Sequence, residues 1–160
     1  MQGNRLDDTD ITIIETLQRH ARTKRGVLAE QAGLSIPTIS ERLHKLEDAE
    51  VITGYRAVID PNKVGLAVTA FIFIMSESST NYPLIIERAR ERSEVLECHA
   101  ITGDGSHILK VRVENTIALE RLLTEIQSWP GVKNTRTDIV LSTAKETTEM
   151  SLGHLRSSNG

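Results

Sequence analysis

The stretch that decides the fold spans residues 27–47 and has the sequence VLAEQAGLSIPTISERLHKLE. It predicts two helices joined by a tight bend. Ala29 permits close helix approach, and Gly33 can adopt the left-handed conformation that a turn requires. Ser35 is expected to be the N-cap of the second helix, with Pro37 in the first turn, where a missing N–H costs nothing. This pattern favours a helix-turn-helix over a solvated helical hairpin in an ordinary helical domain.

The second helix of this segment has one apolar and one polar side. Its apolar stripe recurs at helical spacing and consists of Ile36, Ile39, Leu43 and Leu46. A short polar helix with small polar residues near its start is what reading the DNA major groove requires. The expected DNA-binding residues are Ser35, Pro37, Thr38, Glu41, Arg42 and Lys45 on this helix, and Arg22, Lys24 and Arg25 before it. Glu41 could accept a hydrogen bond from cytosine N4, or it could pair with Lys45.

Charge and composition limit the possible classes of protein. The 160 residues carry a net charge of −3, and residues 1–60 hold 8 Lys and Arg against 10 Asp and Glu. DNA contacts must therefore rest on a local cluster of cations. Arg19 extends the basic group at residues 22–25, and residues 16–29 contain no acid. No apolar run approaches a membrane span and no leader precedes the first helix. Cys98 is the only cysteine, so we expect neither an internal disulfide nor a multi-cysteine zinc site. We also expect a cytoplasmic protein without a metal or cofactor.

The second half of the chain predicts the order strand, helix, strand, strand, helix, strand. The strands are expected at residues 67–75, 95–102, 106–113 and 136–142, with helices starting at Pro83 and around the stripe Leu119, Leu122, Leu123 and Ile126. Gly103-Asp104-Gly105 marks the turn between the two central strands. This βαββαβ order is the ferredoxin-like arrangement, so the expected class is α+β.

The predicted elements divide the chain into three segments. Residues 1–60 form a winged helix-turn-helix domain. Its first helix is capped by Asp7 and runs to about His20, and residues 51–59 form a short wing or linker strand. Residues 61–143 form the ferredoxin-like domain. Residues 144–160 form a tail, which is expected to fray, although its apolar residues Met150, Leu152 and Leu155 could dock on a neighbouring subunit.

One face of the predicted sheet lacks a cover. Leu96, Cys98 and Ala100 are expected beneath the helices, whereas Glu97 and Ile108 belong to the opposite, mixed face. A sheet face with apolar and paired charged residues is typical of a subunit interface. We therefore expect a dimer formed sheet to sheet, the alternative being a half-exposed sheet with a few apolar residues.

The arrangement as a whole resembles the Lrp/AsnC family of prokaryotic transcription regulators. The motifs that carry the resemblance are spread over residues 6–142. They are Leu6-Asp7 with Asp10, Gly33-Leu34-Ser35 followed by Glu41-Arg42-Leu43, Ile52-Thr53-Gly54-Tyr55, Glu97-Cys98-His99 leading to Gly103-Asp104, Lys110-Val111-Arg112-Val113, Pro130-Gly131-Val132 and Thr135-Arg136-Thr137. The resemblance implies a regulator that binds double-stranded DNA as a homodimer, associates further to octamers, and responds to an amino acid or related small molecule.

By position, the family's effector site falls on the Gly-Asp loop and the strands beside it. The candidates are Thr102, Gly103, Asp104, Ser106 and His107, with Thr135, Arg136 and Thr137. An amino acid needs an acid for its ammonium group and backbone N–H groups or a cation for its carboxylate. The sequence departs from the family pattern after Asp104, where many relatives carry a bulky residue, an acid and an aromatic. Without the resemblance, Gly103-Asp104-Gly105 is simply a hairpin turn.

Two other functions compete with DNA-binding regulation. The sirohaem decarboxylases resemble this family in fold, and His99 and His107 could be proposed as acids. However, the sequence shows no activated nucleophile, phosphate loop or metal-ligand cluster, so we expect no enzyme. The acidic N-terminal domain keeps open a third interpretation, a small-molecule-binding or assembly module that does not bind DNA.

Overall fold

The computed structural model describes residues 6–156 of the chain. These residues form two compact units, and the chain passes from one to the other after Val58 and again after Ala144. The N-terminal unit contains the residues up to 58 together with those from 145 onward, and residues 59–144 form the C-terminal unit. The segment that the sequence set apart as a tail thus belongs to the N-terminal unit, and residues 157–160 lie outside the described part.

Three helices build the N-terminal unit: α1 (Asp8–Arg19), α2 (Arg25–Ala32) and α3 (Ile36–Asp48). Asp7 caps α1 as the sequence predicts, because its carboxylate accepts from the Asp10 N–H at 2.8 Å and its own N–H donates to the Asp10 carboxylate at 3.2 Å. This reciprocal pair satisfies two donors that the start of a helix leaves free.

The core of the N-terminal unit is made from the apolar faces of all three helices. Its buried residues are Ile13, Ile14, Leu17, Leu28, Ala29, Ile39, Leu43 and Leu46. Ile36 is the exception in the expected stripe, because 53% of it is exposed. It is the first residue of α3, and helical side chains lean toward the N-terminus, so Ile36 extends beyond the core toward Gly26. Of the expected apolar stripe, only Ile39, Leu43 and Leu46 are therefore buried.

The segment after α3 forms no strand. Residues 51–60 are irregular, with Val58 95% and Ile59 59% exposed. An isolated strand has no ladder of hydrogen bonds to stabilise it, and no other part of residues 6–156 pairs with this segment. The expected wing or linker strand is therefore absent from this single chain.

The C-terminal unit contains the predicted βαββαβ order. Its elements are β1 (Val68–Ser76), α4 (Tyr82–Glu91), β2 (Val95–Ala100), β3 (His107–Val113), α5 (Thr116–Gln127) and β4 (Val132–Ile139), with short 3₁₀ turns at Pro61–Val64 and Ser79–Asn81. The sheet order is β2-β3-β1-β4 and every neighbouring pair is antiparallel. This confirms the ferredoxin-like arrangement.

The two faces of this sheet differ as a period of two requires. The face toward α4 and α5 carries Ala70, Ile72 and Ile74 of β1 and Leu109, Val111 and Val113 of β3, all buried. The other face, called here the open face, carries Phe71, Phe73, Ile108 and Lys110, which are half-buried. The helices cover one face only.

Two strands depart from their predicted positions. β4 starts at Val132 rather than at residue 136, because Val132 pairs with Ser76 beyond an irregularity in β1. In β2, a bulge between Val95 and Glu97 shifts the alternation, so Leu96 is 53% exposed and Val95 packs against the core with Cys98. The expectation that Leu96 lies beneath the helices is wrong, because one extra residue reverses the side on which it points.

The tail packs against its own chain. Residues 145–156 lie against the N-terminal unit and end in the one-turn helix α6 (Gly153–Arg156). Leu152 packs against the core of that unit. The expectation that the tail frays is therefore wrong over these residues. Docking on a neighbouring subunit stays a prediction, since Met150 is 69% exposed.

Candidate nucleic-acid interface and ligand cavity

The bend between α2 and α3 has the geometry that its sequence predicts. Gly33 ends α2 in the left-handed region at φ 64°, where a side chain would be strained. Ser35 caps α3, because its hydroxyl accepts from the Thr38 N–H at 3.3 Å and shares a hydrogen bond with the Thr38 hydroxyl at 2.7 Å. Pro37 occupies the first turn. These local bonds fix where the second helix begins.

The start of α3 presents polar groups outward. Ser35 and Pro37 are exposed and Thr38 is half-buried. The opposite side is held by Ile39, which is fully buried, and by Leu43. A helix that is anchored by its apolar side and exposes small polar residues at its start can enter a groove of DNA.

Arg42 is engaged inside the unit rather than free for DNA. Its guanidinium lies 2.7 Å from the Asp7 carboxylate and 2.8 Å from the Asp10 carboxylate, and its side chain is 29% exposed. Hydrogen bonds to Asp7 and then to Asp10 raise the pKa of Arg42. Arg42 thus ties α3 to the start of α1, contrary to the expectation that it contacts DNA.

The same contact changes the acid that caps α1. Burial by itself would raise the pKa of Asp7, but the Asp10 N–H and the Arg42 guanidinium outweigh it and lower that pKa. Asp7 is therefore held in its charged form, which suits both the helix cap and the ion pair.

Glu41 and Lys45 pair with each other on the exposed side of α3. Their charged atoms are 2.7 Å apart at the i,i+4 spacing. The hydrogen bond from Lys45 lowers the pKa of Glu41. Of the two roles considered for Glu41, the structure shows the ion pair.

The basic stretch lies on the surface before and at the start of α2. Arg22, Lys24 and Arg25 are all exposed, and Thr23 closes a turn through its N–H and hydroxyl bonds to the His20 carbonyl. No acid lies in the first turn of α2. Exposed cations beside a groove-reading helix can contact the DNA backbone.

A separate cavity of about 210 Å³ opens on the C-terminal unit next to the Gly-Asp loop. It combines an apolar part with an acid and a cation. Its lining residues are Phe73, Met75, Ile101, Thr102, Asp104, Gly105 and Arg136. The Arg136 guanidinium lies 4.0 Å from the centre of the Phe73 ring, a cation–π contact that places a positive charge at the cavity wall.

The expected effector residues divide between this cavity and the other side of the sheet. Thr102, Asp104 and Arg136 line it, and Gly103 lies in the same loop with φ 108°. The residues placed away from the cavity are Ser106, His107, Thr135 and Thr137. His107 and Thr135 both pair with Ile74, and Thr137 pairs with Ile72, so they lie on the helix-covered face. Direct effector contact by these side chains does not fit the structure.

Ser106 and His107 instead form a buried contact behind the loop. The Ser106 hydroxyl donates to the Ile74 carbonyl at 3.1 Å and lies 3.0 Å from Nδ1 of His107. His107 is 1% exposed and meets the Tyr82 ring edge to face at 4.8 Å. Burial lowers the pKa of His107. This imidazole is therefore held neutral and supports the loop from inside.

Sequence reasoning missed the apolar part of the cavity. Phe73 and Met75 alternate with the buried Ile72 and Ile74 along β1, which was a usable signal that they share the open face. Over residues 6–156, no group of three His, Cys, Asp or Glu side chains could hold a metal ion. In that same range, every helix is too short or too polar to cross a membrane.

Two family models match this chain. Residues 6–53 match a family model described as a winged helix-turn-helix DNA-binding domain, and residues 69–150 match one described as the Lrp/AsnC ligand binding domain. The fold and these matches define a helix-turn-helix transcriptional regulator with a separate ligand-binding domain.

Relatives of known role cover nearly the whole chain. The HTH-type transcriptional regulator FL11 of Pyrococcus horikoshii is 36% identical over 145 residues, which are 91% of this chain and 95% of that protein. The regulatory protein AsnC of Escherichia coli is 35% identical over 142 residues, covering 88% and 93%. The chain belongs to the Lrp/AsnC family and is a DNA-binding transcriptional regulator.

Solved structures extend the similarity to three dimensions. A transcriptional regulator of Neisseria meningitidis in complex with L-Met superposes with a TM-score of 0.89 at 32% identity, covering 94% of this chain and 99% of that one. The feast or famine regulatory protein of M. tuberculosis, complexed with L-methionine, gives a TM-score of 0.82 at 33% identity, covering 91% and 98%.

Proposed function

We propose that this regulator binds an amino acid with an apolar side chain in the cavity beside the Gly-Asp loop, and that this ligand modulates its binding to DNA. One observation carries the proposal. Asp104 and Arg136 line the same cavity as Phe73, Met75 and Ile101. An acid for the ammonium group, a cation for the carboxylate and an apolar wall for the side chain are the features that such a ligand needs. Two structural relatives hold L-methionine.

The open face of the sheet is the proposed dimer interface. Phe71, Phe73 and Ile108 alternate with the core residues of their strands and are not covered by α4 or α5. Lys110 lies on the same face and pairs with Glu97 at 3.3 Å, so its charge is partly neutralised. Because the cavity opens beside this face, a second subunit could complete its wall, and further association to an octamer would join more such sites.

For DNA, we propose that Thr38, with Ser35 and Pro37, approaches the bases and that Arg22, Lys24 and Arg25 contact phosphates. Glu41 and Lys45 are proposed to contribute as a pair, and Arg42 by holding α3 in position. We propose no catalytic role, in line with relatives that are transcriptional regulators. We also propose that the protein acts in the cytoplasm, where prokaryotic DNA lies.

Titration calorimetry with L-methionine tests the ligand proposal. Asp104→Asn keeps the turn geometry and removes only the charge, so the affinity should fall about tenfold, the size of one charge-assisted hydrogen bond. Glu120→Gln is the matched control, because Glu120 is an exposed acid on α5 of the same unit and does not line the cavity. Equal affinities of wild type and Asp104→Asn for methionine and for a panel of other apolar amino acids would refute this site.

A further inference from the structure

The tail is attached to α1 by a two-point hydrogen bond. The Gln18 side-chain amide donates to the Met150 carbonyl at 3.0 Å, and its carbonyl accepts from the Met150 N–H at 2.7 Å. One side chain thus satisfies both backbone groups of one tail residue. This pairing fixes the position of the tail along the helix.

Ion pairs hold the tail on either side of that point. The Arg156 guanidinium lies 3.0 Å from the Glu15 carboxylate and donates to the Thr12 hydroxyl at 3.3 Å. Toward the other end, the Arg19 Nε lies 3.2 Å from the Glu149 carboxylate. Leu152, between them in sequence, packs against the apolar core. Residues 145–156 therefore form a strap along α1.

The strap brings a negative charge to the basic surface. Arg19 is the last residue of α1, and the closed turn after it leads directly to Arg22 and Lys24. No acid occurs among residues 16–29, so Glu149 adds a carboxylate to a stretch that otherwise holds only cations. A carboxylate and a DNA phosphate bind a guanidinium through the same N–H donors. Arg19 cannot give the same donors to both.

We propose that the strap competes with the DNA backbone for Arg19, so that DNA binding displaces Glu149. The exchange is feasible because both partners are exposed, 57% for Arg19 and 47% for Glu149. An exposed ion pair of this kind is weak, because water screens both charges. A phosphate contact, by comparison, gains from the release of counterions. The strap thus lowers the affinity for non-specific DNA, because the ion pair must break before Arg19 can contact a phosphate.

Fluorescence anisotropy with a random-sequence duplex tests the proposal on the full-length protein. Glu149→Gln should bind roughly two- to tenfold more tightly at about 50 mM salt, because wild type must first break the ion pair. Its plot of log K against log salt should keep nearly the wild-type slope, because Arg19 contacts the same phosphate in both complexes. Glu120→Gln is the matched control, because it makes the same change of charge on the exposed side of α5 in the other unit. It should leave the affinity nearly unchanged.

Two further variants make the test specific to the strap. Without Arg19, there is no ion pair for DNA to break, so Arg19→Ala and the double variant Arg19→Ala/Glu149→Gln should bind DNA equally. Gln18→Ala changes no charge. It should speed amide hydrogen exchange at Met150 and raise DNA affinity in the same direction as Glu149→Gln.

Three results would overturn the competition. The first is an equal gain from Glu149→Gln and Glu120→Gln, which would make net charge the cause. The second is a gain from Glu149→Gln that persists without Arg19. The third is a wild type that binds no DNA at any salt concentration, in which case amide exchange at Met150 would still report whether the strap is closed.

Discussion

Replacing Arg42 by alanine should destabilise the N-terminal unit and leave the C-terminal unit intact. The substitution removes two charge-assisted contacts, at 2.7 Å to Asp7 and 2.8 Å to Asp10, and leaves the Asp10 carboxylate, 17% exposed, without its cation. Hydrogen bonds to charged groups contribute about 1.5–3 kcal/mol each. The Asp7 contact must be discounted because that side chain is 52% exposed.

The expected loss is therefore about 2–3 kcal/mol in the free energy of unfolding of the N-terminal unit. For a unit of this size, that corresponds to a drop of roughly 10–20 °C in its Tm. Circular dichroism follows the helices of both units, whereas fluorescence of Trp129, the only tryptophan, follows the C-terminal unit alone. The helical transition should move and the Trp129 transition should not.

Lys45→Ala is the matched control for this prediction. It also removes a cation from α3, but from a pair whose side chains are 66% and 67% exposed, so it should destabilise the unit far less than Arg42→Ala does. Equal destabilisation by the two variants would show that Arg42 is only a surface charge. Arg42→Ala should weaken binding to specific and non-specific DNA alike, because a less firmly held α3 affects every complex.

The Arg42 contact also predicts how stability changes with acid. The pKa of Asp7 is lower in the folded protein than its ordinary value of 3.8. Its contribution to the stability of the N-terminal unit is therefore fully present above about pH 4 and is lost as the pH falls through the lower, folded pKa. Wild type and Arg42→Ala should thus converge in stability in strong acid, which denaturant unfolding at a series of pH values would measure. A constant difference at all pH values would contradict this account.

Three other outcomes are expected. Gly33→Ala should cost about 1 kcal/mol in the N-terminal unit by thermal unfolding, because φ is 64° there; no loss would mean that the turn relaxes. Phe71→Asp should shift sedimentation toward the monomer, whereas Leu84→Asp on α4 should not, if the open face is the interface. The pKa of His107 is lowered from 6.5 by burial, so the C-terminal unit should lose stability as the pH falls below that value. His107→Gln should remove this dependence of the Trp129 transition, and His99→Gln, at an exposed site, should not.

The local features of this protein could be predicted because their causes lie within a few residues. The Asp7 and Ser35 caps each bond a group three residues along the chain, and the Gly33 turn needs only its own φ. The strand order followed from periodicity and turn residues in the same way. Side-chain alternation could also have separated Arg136 from Thr135 and Thr137, and His107 follows the same period as Leu109. The resemblance to the family had placed these residues in one effector site by their position in the motifs alone.

Only the tertiary structure decided the contacts between residues far apart in sequence. Arg42 lies among polar residues of α3, where a DNA contact would be expected. Folding instead brings it to Asp7, which is 35 residues away in sequence. Met150 reaches Gln18 across 132 residues, and no local pattern encodes such a pairing. The bulge that exposes Leu96 likewise depends on the register against β3. The sequence by itself determined the three N-terminal helices and the strand and helix order of the C-terminal unit, because capping, turns and periodicity are local. The fold decided which charges are already paired and which remain for DNA and ligand, because pairing depends on distance in space.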